Sequence, residues 1–412
     1  MLASTLLPLA LAGAASMASA SPIQYAGRAP SIVDVDGLQR EFNQSVERSV
    51  AQLSTRSPEK EQDCNTHRSR KVKKALKKYA FTLPLKNPRD WEYLASVRVG
   101  ANQQVVDLMV DTGSADLLLP RVTDKCTQDN GCYNPARSRT YNKLKQETLG
   151  QGSVEGQIAQ DKVILAPGHT FFGQDVALFD SSFLKGNFGV LGLAWPSISK
   201  LDGPTVVERL ISSDKLPDNL FSLYHSRGGA AGSELTLGGV DANRYTGEVT
   251  TLPVISQSHW TVPLTGATLN GEAVYSGFVA AAIDSGTTST IIPKAITDAY
   301  FSQVEGVVID PNAVARSTVG GVEVVGQIYQ YPCDAKLPTL GFTFAGSDRV
   351  FEMSQADAFI PQEGKLCVAS IVGADVVYMG QKAALFGVSF LKSWYSVFNF
   401  DDATVSLAQA KH

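Results

Sequence analysis

The chain has 412 residues and a formal net charge of −4 at pH 7, and 44% of its residues are hydrophobic. This length predicts two or three folding units with ordinary packed cores. Residues 1–79 carry 12 Lys and Arg against 7 Asp and Glu, net +5, so the remaining residues carry 24 against 33, net −9. The acidic body argues against a surface that binds nucleic-acid phosphates. Its many glycines and its short apolar runs, cut by Gly, Pro, Asn and Asp, favour an all-β fold.

The first 20 residues have the features of a signal peptide. An apolar core that begins at Leu6 is followed by the small-x-small cleavage pattern Ala18-Ser19-Ala20. This stretch is too short for a transmembrane anchor, and no later stretch is long and apolar enough to be one. We therefore expect a soluble protein of the secretory pathway, secreted or, as the alternative, vacuolar.

Residues 21–79 are polar and then strongly basic. Seven basic side chains lie close together at the end of this segment: Arg68, Arg70, Lys71, Lys73, Lys74, Lys77 and Lys78. One interpretation is a flexible solvated tail, and the other is a pro-segment that lies across an acidic cleft and is released when carboxylates protonate. The secretory signal and the acidic body favour the pro-segment, with Lys77-Lys78 as a dibasic cleavage site.

Four of the five cysteines remain in the body once such a pro-segment leaves. Cys64 lies within residues 21–79, Cys126 and Cys132 lie in the first half of the body, and Cys333 and Cys367 lie in the second. This distribution is consistent with one disulfide per half of a secreted chain. A four-cysteine zinc site is the alternative, but such sites usually need two close pairs. We expect no metal and no cofactor.

A motif that occurs twice is the central feature of the sequence. Residues 108–115 read Leu-Met-Val-Asp-Thr-Gly-Ser-Ala, and residues 281–288 read Ala-Ala-Ile-Asp-Ser-Gly-Thr-Thr. One Asp-Thr-Gly alone is most often a turn that leaves a strand. Two matched copies, with Asp111 and Asp284 separated by 173 positions, indicate a duplicated unit whose copies meet.

Further patterns surround the two motifs. Residues 91–99 and 105–110 are predicted to be strands, the second of which delivers the first Asp. Each half also carries a later apolar-apolar-Gly stretch, 189–194 and 384–389, which we expect to pass beside its Asp turn; two unrelated core strands are the alternative. Residues 149–156 are predicted to form a glycine-punctuated hairpin, which we interpret as a mobile lid rather than a phosphate-binding loop.

Two carboxylates that share one site define a specific chemistry. They cannot both ionise easily, so Asp111 and Asp284 would hold one proton between them and titrate as a pair. One could then take a proton from water while the other gives a proton to a carbonyl oxygen, which is general acid-base hydrolysis at acidic pH. Small residues would allow close approach and hydroxyls would orient the carboxylates: Gly113, Gly286, Ser114 and Thr287.

At these residues the chain resembles the pepsin-like aspartic proteases, over roughly residues 85–410. The resemblance also includes the stretches 193–198 and 235–241 and the glycines of the flap, whose residues here are Leu149, Gly150, Gly152 and Ser153. It implies an all-β, bilobal fold of two pseudo-twofold-related, barrel-like lobes, residues 80–250 and 251–412, with a cleft between them. It further implies a zymogen, the catalytic pair Asp111 and Asp284, two disulfides, and a peptide or protein substrate; we expect a monomer.

The sequence departs from the family pattern around the flap. The family usually carries a flap Tyr that bonds a Trp, where this chain has Leu149 and Leu118, and Val388 and Asn399 stand where Asp is frequent. Because both partners are replaced, an apolar contact substitutes for the hydrogen bond. We expect an aspartic endopeptidase with a remodelled flap. The alternatives are a narrow-specificity hydrolase in processing or secondary-metabolite biosynthesis, and a peptide-binding pseudo-protease.

Overall fold

The computed structural model describes residues 80–149, 154–180, 187–229, 231–319, 322–360, 365–378 and 380–412. The predicted signal peptide, the predicted pro-segment with Cys64, and the flap residues Gly150, Gly152 and Ser153 lie outside the described residues.

Strands are the predominant regular structure in both halves, and the all-β prediction is confirmed. The first half contains β1 (Phe81–Lys86), β2 (Leu94–Val99), β3 (Gln104–Asp111), β4 (Leu117–Arg121), β5 (Asn142–Leu149), β6 (Val154–Ala166), β7 (His169–Asp180), β8 (Gly189–Gly192), α1 (Val206–Ser212), β9 (Leu220–Tyr224), β10 (Ser233–Leu237) and β11 (Tyr245–Pro253).

The second half contains a pair of long antiparallel strands near its start and ends with a hairpin. It contains β12 (Ser256–Gln257), β13 (Trp260–Leu269), β14 (Glu272–Ile283), β15 (Thr290–Ile292), α2 (Lys294–Phe301), β16 (Val308–Val319), β17 (Val322–Pro332), β18 (Leu340–Phe344), β19 (Val350–Met353), β20 (Phe359–Ile360), β21 (Leu366–Ala369), β22 (Ile371–Gly373), β23 (Val376–Tyr378), β24 (Gln381–Phe386), α3 (Val388–Leu391), β25 (Trp394–Asn399) and β26 (Thr404–Ala410).

The first sheet closes on itself to form a barrel. Its strand order is β11-β26-β25-β9-β10-β1-β2-β3-β8-β4-β7-β6-β5, and an additional pairing of β2 with β6 joins the two ends of the β2-to-β6 segment. Within it, β3 runs parallel to β8 and β4 runs parallel to β7, while β4 and β8 are antiparallel. A closed ring removes free strand edges and encloses a buried interior.

The second sheet repeats these connections. Its main path is β19-β18-β13-β14-β24-β15-β22-β17-β21-β20. Here β14 runs parallel to β24 and β15 runs parallel to β22, while β15 and β24 are antiparallel. The strand that precedes each Asp motif therefore has the same neighbours in both halves, as expected for a bilobal, pseudo-twofold fold.

The end of the chain crosses back to the first sheet. Strand β25 pairs with β9 and strand β26 pairs with β11, so both sheets contain residues from the second half. Two ion pairs also connect distant segments: Lys392 Nζ lies 2.7 Å from Asp90 Oδ2, and Arg227 Nη2 lies 2.6 Å from Asp357 Oδ2. These pairings fix the two halves against each other.

Both predicted disulfides are present. Cys126 is bonded to Cys132 with Cα atoms 5.8 Å apart, and Cys333 is bonded to Cys367 with Cα atoms 5.0 Å apart. Among the described residues, no helix is long and apolar enough to cross a membrane.

The predicted strands around the first motif are close to those observed. The strand predicted over 91–99 begins at Leu94, and the one predicted over 105–110 spans Gln104–Asp111. The second apolar-apolar-Gly stretch is only partly a strand, because β24 ends at Phe386 and helix α3 begins at Val388.

Candidate active site

Asp111 is the last residue of a buried strand and is fixed by the strand beside it. Strand β3 is in parallel register with β8, with Asp111 opposite Gly192. Beyond that pair, the backbone N–H of Leu193 donates to the carbonyl of Asp111 at 2.8 Å, and that of Ala194 donates to Ser114 at 2.8 Å. A Cβ on Gly192 would lie 2.5 Å from the Asp116 nitrogen, so only glycine allows this approach.

Asp284 is fixed in the same way by the second half. It follows β14, whose Ile283 is in parallel register with Phe386 of β24. The N–H of Asp284 donates to the Phe386 carbonyl at 3.0 Å, and the N–H of Val388 donates to the Thr287 carbonyl at 2.8 Å. Both predicted apolar-apolar-Gly stretches therefore pass beside their Asp turns, as expected from the sequence.

Each carboxylate accepts the same two hydrogen bonds from its own turn. Asp111 accepts from the Gly113 N–H at 2.8 Å and from the Ser114 hydroxyl. Asp284 accepts from the Gly286 N–H at 2.9 Å and from the Thr287 hydroxyl at 2.7 Å. The two acids are 2% and 0% exposed respectively, so these bonds hold them in fixed orientations within a largely buried site.

The two Asp turns face each other, and the glycine in each turn allows this close approach. A Cβ on Gly113 would lie 2.7 Å from the carboxylate oxygens of Asp284, and a Cβ on Gly286 would lie 2.2 Å from Oδ1 of Asp111. Each glycine therefore lies directly against the carboxylate of the opposite motif. Any side chain at either position would occupy space that a carboxylate already fills.

Thr112 and Ser285 join the two turns, and sequence reasoning missed this role. Thr112 Oγ1 donates to the Ile283 carbonyl at 2.8 Å and accepts from the Ser285 N–H at 2.9 Å. In the pseudo-twofold-related arrangement, Ser285 Oγ donates to the Val110 carbonyl at 2.8 Å and accepts from the Thr112 N–H at 3.1 Å. The signal available was the hydroxyl residue at the same place in both motifs.

The environment of Asp284 favours its neutral form. Burial raises the pKa of Asp284 well above its usual value, and the nearby Asp111 carboxylate raises the pKa further; the bonds from Thr287 and Gly286 oppose this shift. Two carboxyl groups this close share one proton rather than carry two charges. The arrangement therefore places a proton donor beside a proton acceptor.

The hairpin predicted at 149–156 is present as the pair β5 and β6. Leu149 lies opposite Val154 in antiparallel register, and the residues between them lie outside the described part of the chain. Leu118 of β4 packs against two apolar clusters, one of which includes Ile158 of the hairpin strand β6. Their buried members are Leu94, Met109, Phe179, Phe188 and Val190 in one cluster and Ile158, Ala177 and Leu201 in the other.

The other two departures have local explanations. Val388 is buried, begins helix α3 and packs in the main core. Asn399 caps the turn between β25 and β26, because its side-chain oxygen accepts from the N–H groups of Asp401 at 2.9 Å and Asp402 at 3.1 Å. Among the described residues, no group of His, Cys, Asp or Glu has the arrangement of a metal site.

Known proteins are similar to this chain over most of its length. The sequence model described as eukaryotic aspartyl protease matches residues 92–410. The chain belongs to the eukaryotic aspartyl protease family. It is 30% identical to Cathepsin E-A of Xenopus laevis over 79% of this chain and 81% of that protein.

Two further members of the aspartyl protease family match over similar lengths. The chain is 28% identical to Pepsin-2B of Gadus morhua, over 80% of this chain and 99% of that protein. It is 29% identical to Pepsin A of Sus scrofa, over 79% of this chain and 83% of that protein. The matched region contains both Asp motifs, both disulfides and the hairpin above them, so the predicted resemblance to pepsin-like aspartic proteases is confirmed.

Proposed function

We propose that this chain is an endopeptidase that hydrolyses peptide bonds at acidic pH, with Asp111 and Asp284 as its catalytic pair. The observation that carries the proposal is the reciprocal packing of the two motifs. Each motif glycine lies against the other motif's carboxylate, and the pKa of Asp284 is raised while both groups are buried.

The mechanism follows from one shared proton. A water molecule between the carboxyl groups gives a proton to Asp111 as its oxygen attacks the peptide carbonyl carbon. Asp284 gives its proton to the carbonyl oxygen, which produces a neutral tetrahedral diol. As the diol collapses, Asp111 gives its proton to the amide nitrogen, one diol hydroxyl gives its proton to Asp284, and the C–N bond breaks to release a carboxylic acid and an amine. The pair ends with one proton again, so the site is ready for another cycle.

The lobes and segments have corresponding roles in this proposal. Residues 80–250 and 251–412 form the walls of a cleft that binds an extended peptide. The hairpin of β5 and β6 closes over that peptide, excluding water from the site. Residues 1–20 direct the chain into the secretory pathway, and the basic segment 21–79 covers the acidic cleft until acid weakens its charge pairing.

Asp111→Asn tests the catalytic assignment. The variant keeps the shape of the side chain but cannot accept a proton from water, so cleavage of a mixed peptide library between about pH 3 and pH 6 should be lost. Asp107→Asn is a matched control because Asp107 lies on the same strand but pairs with Lys86 at 2.7 Å, with 27% of its side chain exposed, instead of contacting the second Asp motif. Retained cleavage in Asp111→Asn, at the rate of the control, would exclude the proposed mechanism.

Narrow specificity is a second proposal, supported by the surroundings of Leu118. This side chain packs against both the cluster that contains Met109 and the cluster that contains Ile158. It offers no hydrogen-bond donor to a flap residue. Combining Leu118→Trp with Leu149→Tyr should therefore broaden the range of large peptides that are cleaved. An identical cleavage profile before and after the double substitution would contradict this proposal. The catalytic proposal is tested separately, by the loss of cleavage in Asp111→Asn.

A further inference from the structure

Asp116 lies at the end of the loop of residues 111–116, here called the catalytic loop, and its carboxyl group bonds residues outside that loop. It is the last residue before β4, and its backbone carbonyl accepts from the Gly192 N–H at 3.0 Å. Its partly buried carboxyl group accepts from Ser199 Oγ at 2.6 Å and from the Lys200 N–H at 2.9 Å. One side chain thus joins the loop that carries Asp111 to a segment about 80 residues further along the chain.

That segment, residues 199–203, in turn contacts both strands of the hairpin. Leu201 packs in the same apolar cluster as Ile158 of β6. Asp202 Oδ2 lies 2.9 Å from Lys145 Nζ of β5. Beyond them, the Gly203 N–H donates to Asp175 of β7 at 2.9 Å.

We propose that Asp116 is a positioning residue that braces the β5–β6 hairpin against the catalytic loop through residues 199–203, and so sets how well the enzyme binds its peptide. This inference rests on the proposed function for its kinetic consequence, although the brace itself is a property of the free protein. Asp116 makes no contact with the reacting atoms. Its removal should loosen the base of the hairpin, while the two catalytic carboxyl groups keep their own hydrogen bonds.

The hydrogen bonds of Asp116 are compatible with an acidic working pH. Burial raises the pKa of Asp116, and the bonds from Ser199 and Lys200 and the charge of Lys200 oppose the shift. Once neutral, the carboxyl group can donate to Ser199 Oγ, and the Ser199 hydroxyl can then donate to the Leu201 carbonyl at 3.2 Å. Its other oxygen still accepts from the Lys200 N–H.

Few other charged residues lie on the segments that surround Asp116 among the described residues. Within the segment, Lys200 and Asp202 are charged, and Asp202 is paired with Lys145. Within the catalytic loop, Asp111 is the other acid, and the residues of β8 beside the loop carry no charge. An Asn at 116 can reproduce the neutral pattern, because its amide N–H can donate to Ser199 while its oxygen accepts from Lys200.

The test compares Asp116→Ala with Asp116→Asn in the full-length protein after acid activation. Asp116→Ala removes both hydrogen bonds of the carboxyl group, so KM for a cleaved peptide should rise about tenfold while kcat stays within about twofold. Asp116→Asn should keep both values near those of the wild type. Asp241→Ala is the matched control, because Asp241 makes a comparable bond, to the Asn243 N–H at 2.9 Å, in a turn outside the brace.

Hydrogen exchange provides a readout that does not need activity. Backbone amides of β5 and residues 199–203 should exchange faster in Asp116→Ala than in the wild type, and at the wild-type rate in Asp116→Asn. The inference would be overturned if Asp116→Ala left both KM and the amide exchange rates unchanged. It would also be overturned if Asp241→Ala raised KM equally. If Asp116→Ala does not fold, Ser199→Ala takes its place and must raise KM. A wild-type protein that cleaves no peptide would refute the proposed function, whereas the exchange rates would still decide the brace.

Discussion

Replacing Thr112 by Val removes the hydrogen bonds by which the first Asp turn holds the second. Valine has nearly the shape of threonine and is also β-branched, so the change deletes the hydroxyl with little alteration of packing. The hydroxyl donates to the Ile283 carbonyl and accepts from the Ser285 N–H, and Thr112 is 0% exposed. Both backbone groups would lose this partner at a site without access to bulk water.

The expected cost follows from those two bonds. Leaving a buried polar group unsatisfied costs about 1–3 kcal/mol, so two such groups give a loss of about 2–4 kcal/mol in the free energy of unfolding once local relaxation is allowed for. A shift of either carboxyl group by about 1 Å would lower kcat by about a hundredfold. We therefore expect Thr112→Val to lower both stability and kcat.

Urea denaturation and steady-state kinetics measure the two effects. Thr112→Ser keeps the hydroxyl and should stay close to the wild type in both measurements. Thr236→Val is a control for the loss of a threonine hydroxyl elsewhere, because the Thr236 hydroxyl bonds the Thr82 hydroxyl, at 2.9 Å, on the first sheet; it should leave kcat unchanged. If Thr112→Val unfolds at the wild-type urea concentration with an unchanged kcat, the bonds between the turns do not hold the site together.

Three further predictions concern the same protein. Gly286→Ala should lower kcat more than a hundredfold, because its Cβ would lie 2.2 Å from Asp111 Oδ1; a fully active variant would mean that the turns move apart at no cost. Because the pKa of Asp284 is raised above 3.8, its ionisation opposes folding, so the free energy of unfolding should fall as the pH rises from about 4 toward neutral. Asp284→Asn should remove that part of the pH dependence in thermal unfolding, and parallel curves for the two proteins would contradict it. Finally, N-terminal sequencing after acidification should give a first residue no later than Phe81, since β1 lies between β10 and β2; an active chain that starts after Phe81 would refute this.

The sequence by itself predicted which two carboxyl groups lie together in the candidate site. The two Asp motifs, their spacing and the later glycine stretches predicted which carboxylates meet, because each pattern combines a buried strand with a turn that only small residues permit. The four cysteines of the body likewise predicted the two bonded pairs, since their positions divided them between the halves. These are features of local sequence and of its repetition.

Only the tertiary structure decided how the parts hold one another. The pairing of Thr112 with Ser285, the return of β25 and β26 to the first sheet, and the bonds of Asp116 to residues 199 and 200 all join segments distant in sequence. A hydroxyl or a carboxyl group carries no sign of its partner in the sequence, because that partner is set by strand register and by the closure of the barrel. For this reason, the sequence predicted the carboxyl pair, whereas the residues that support it became visible only in the fold.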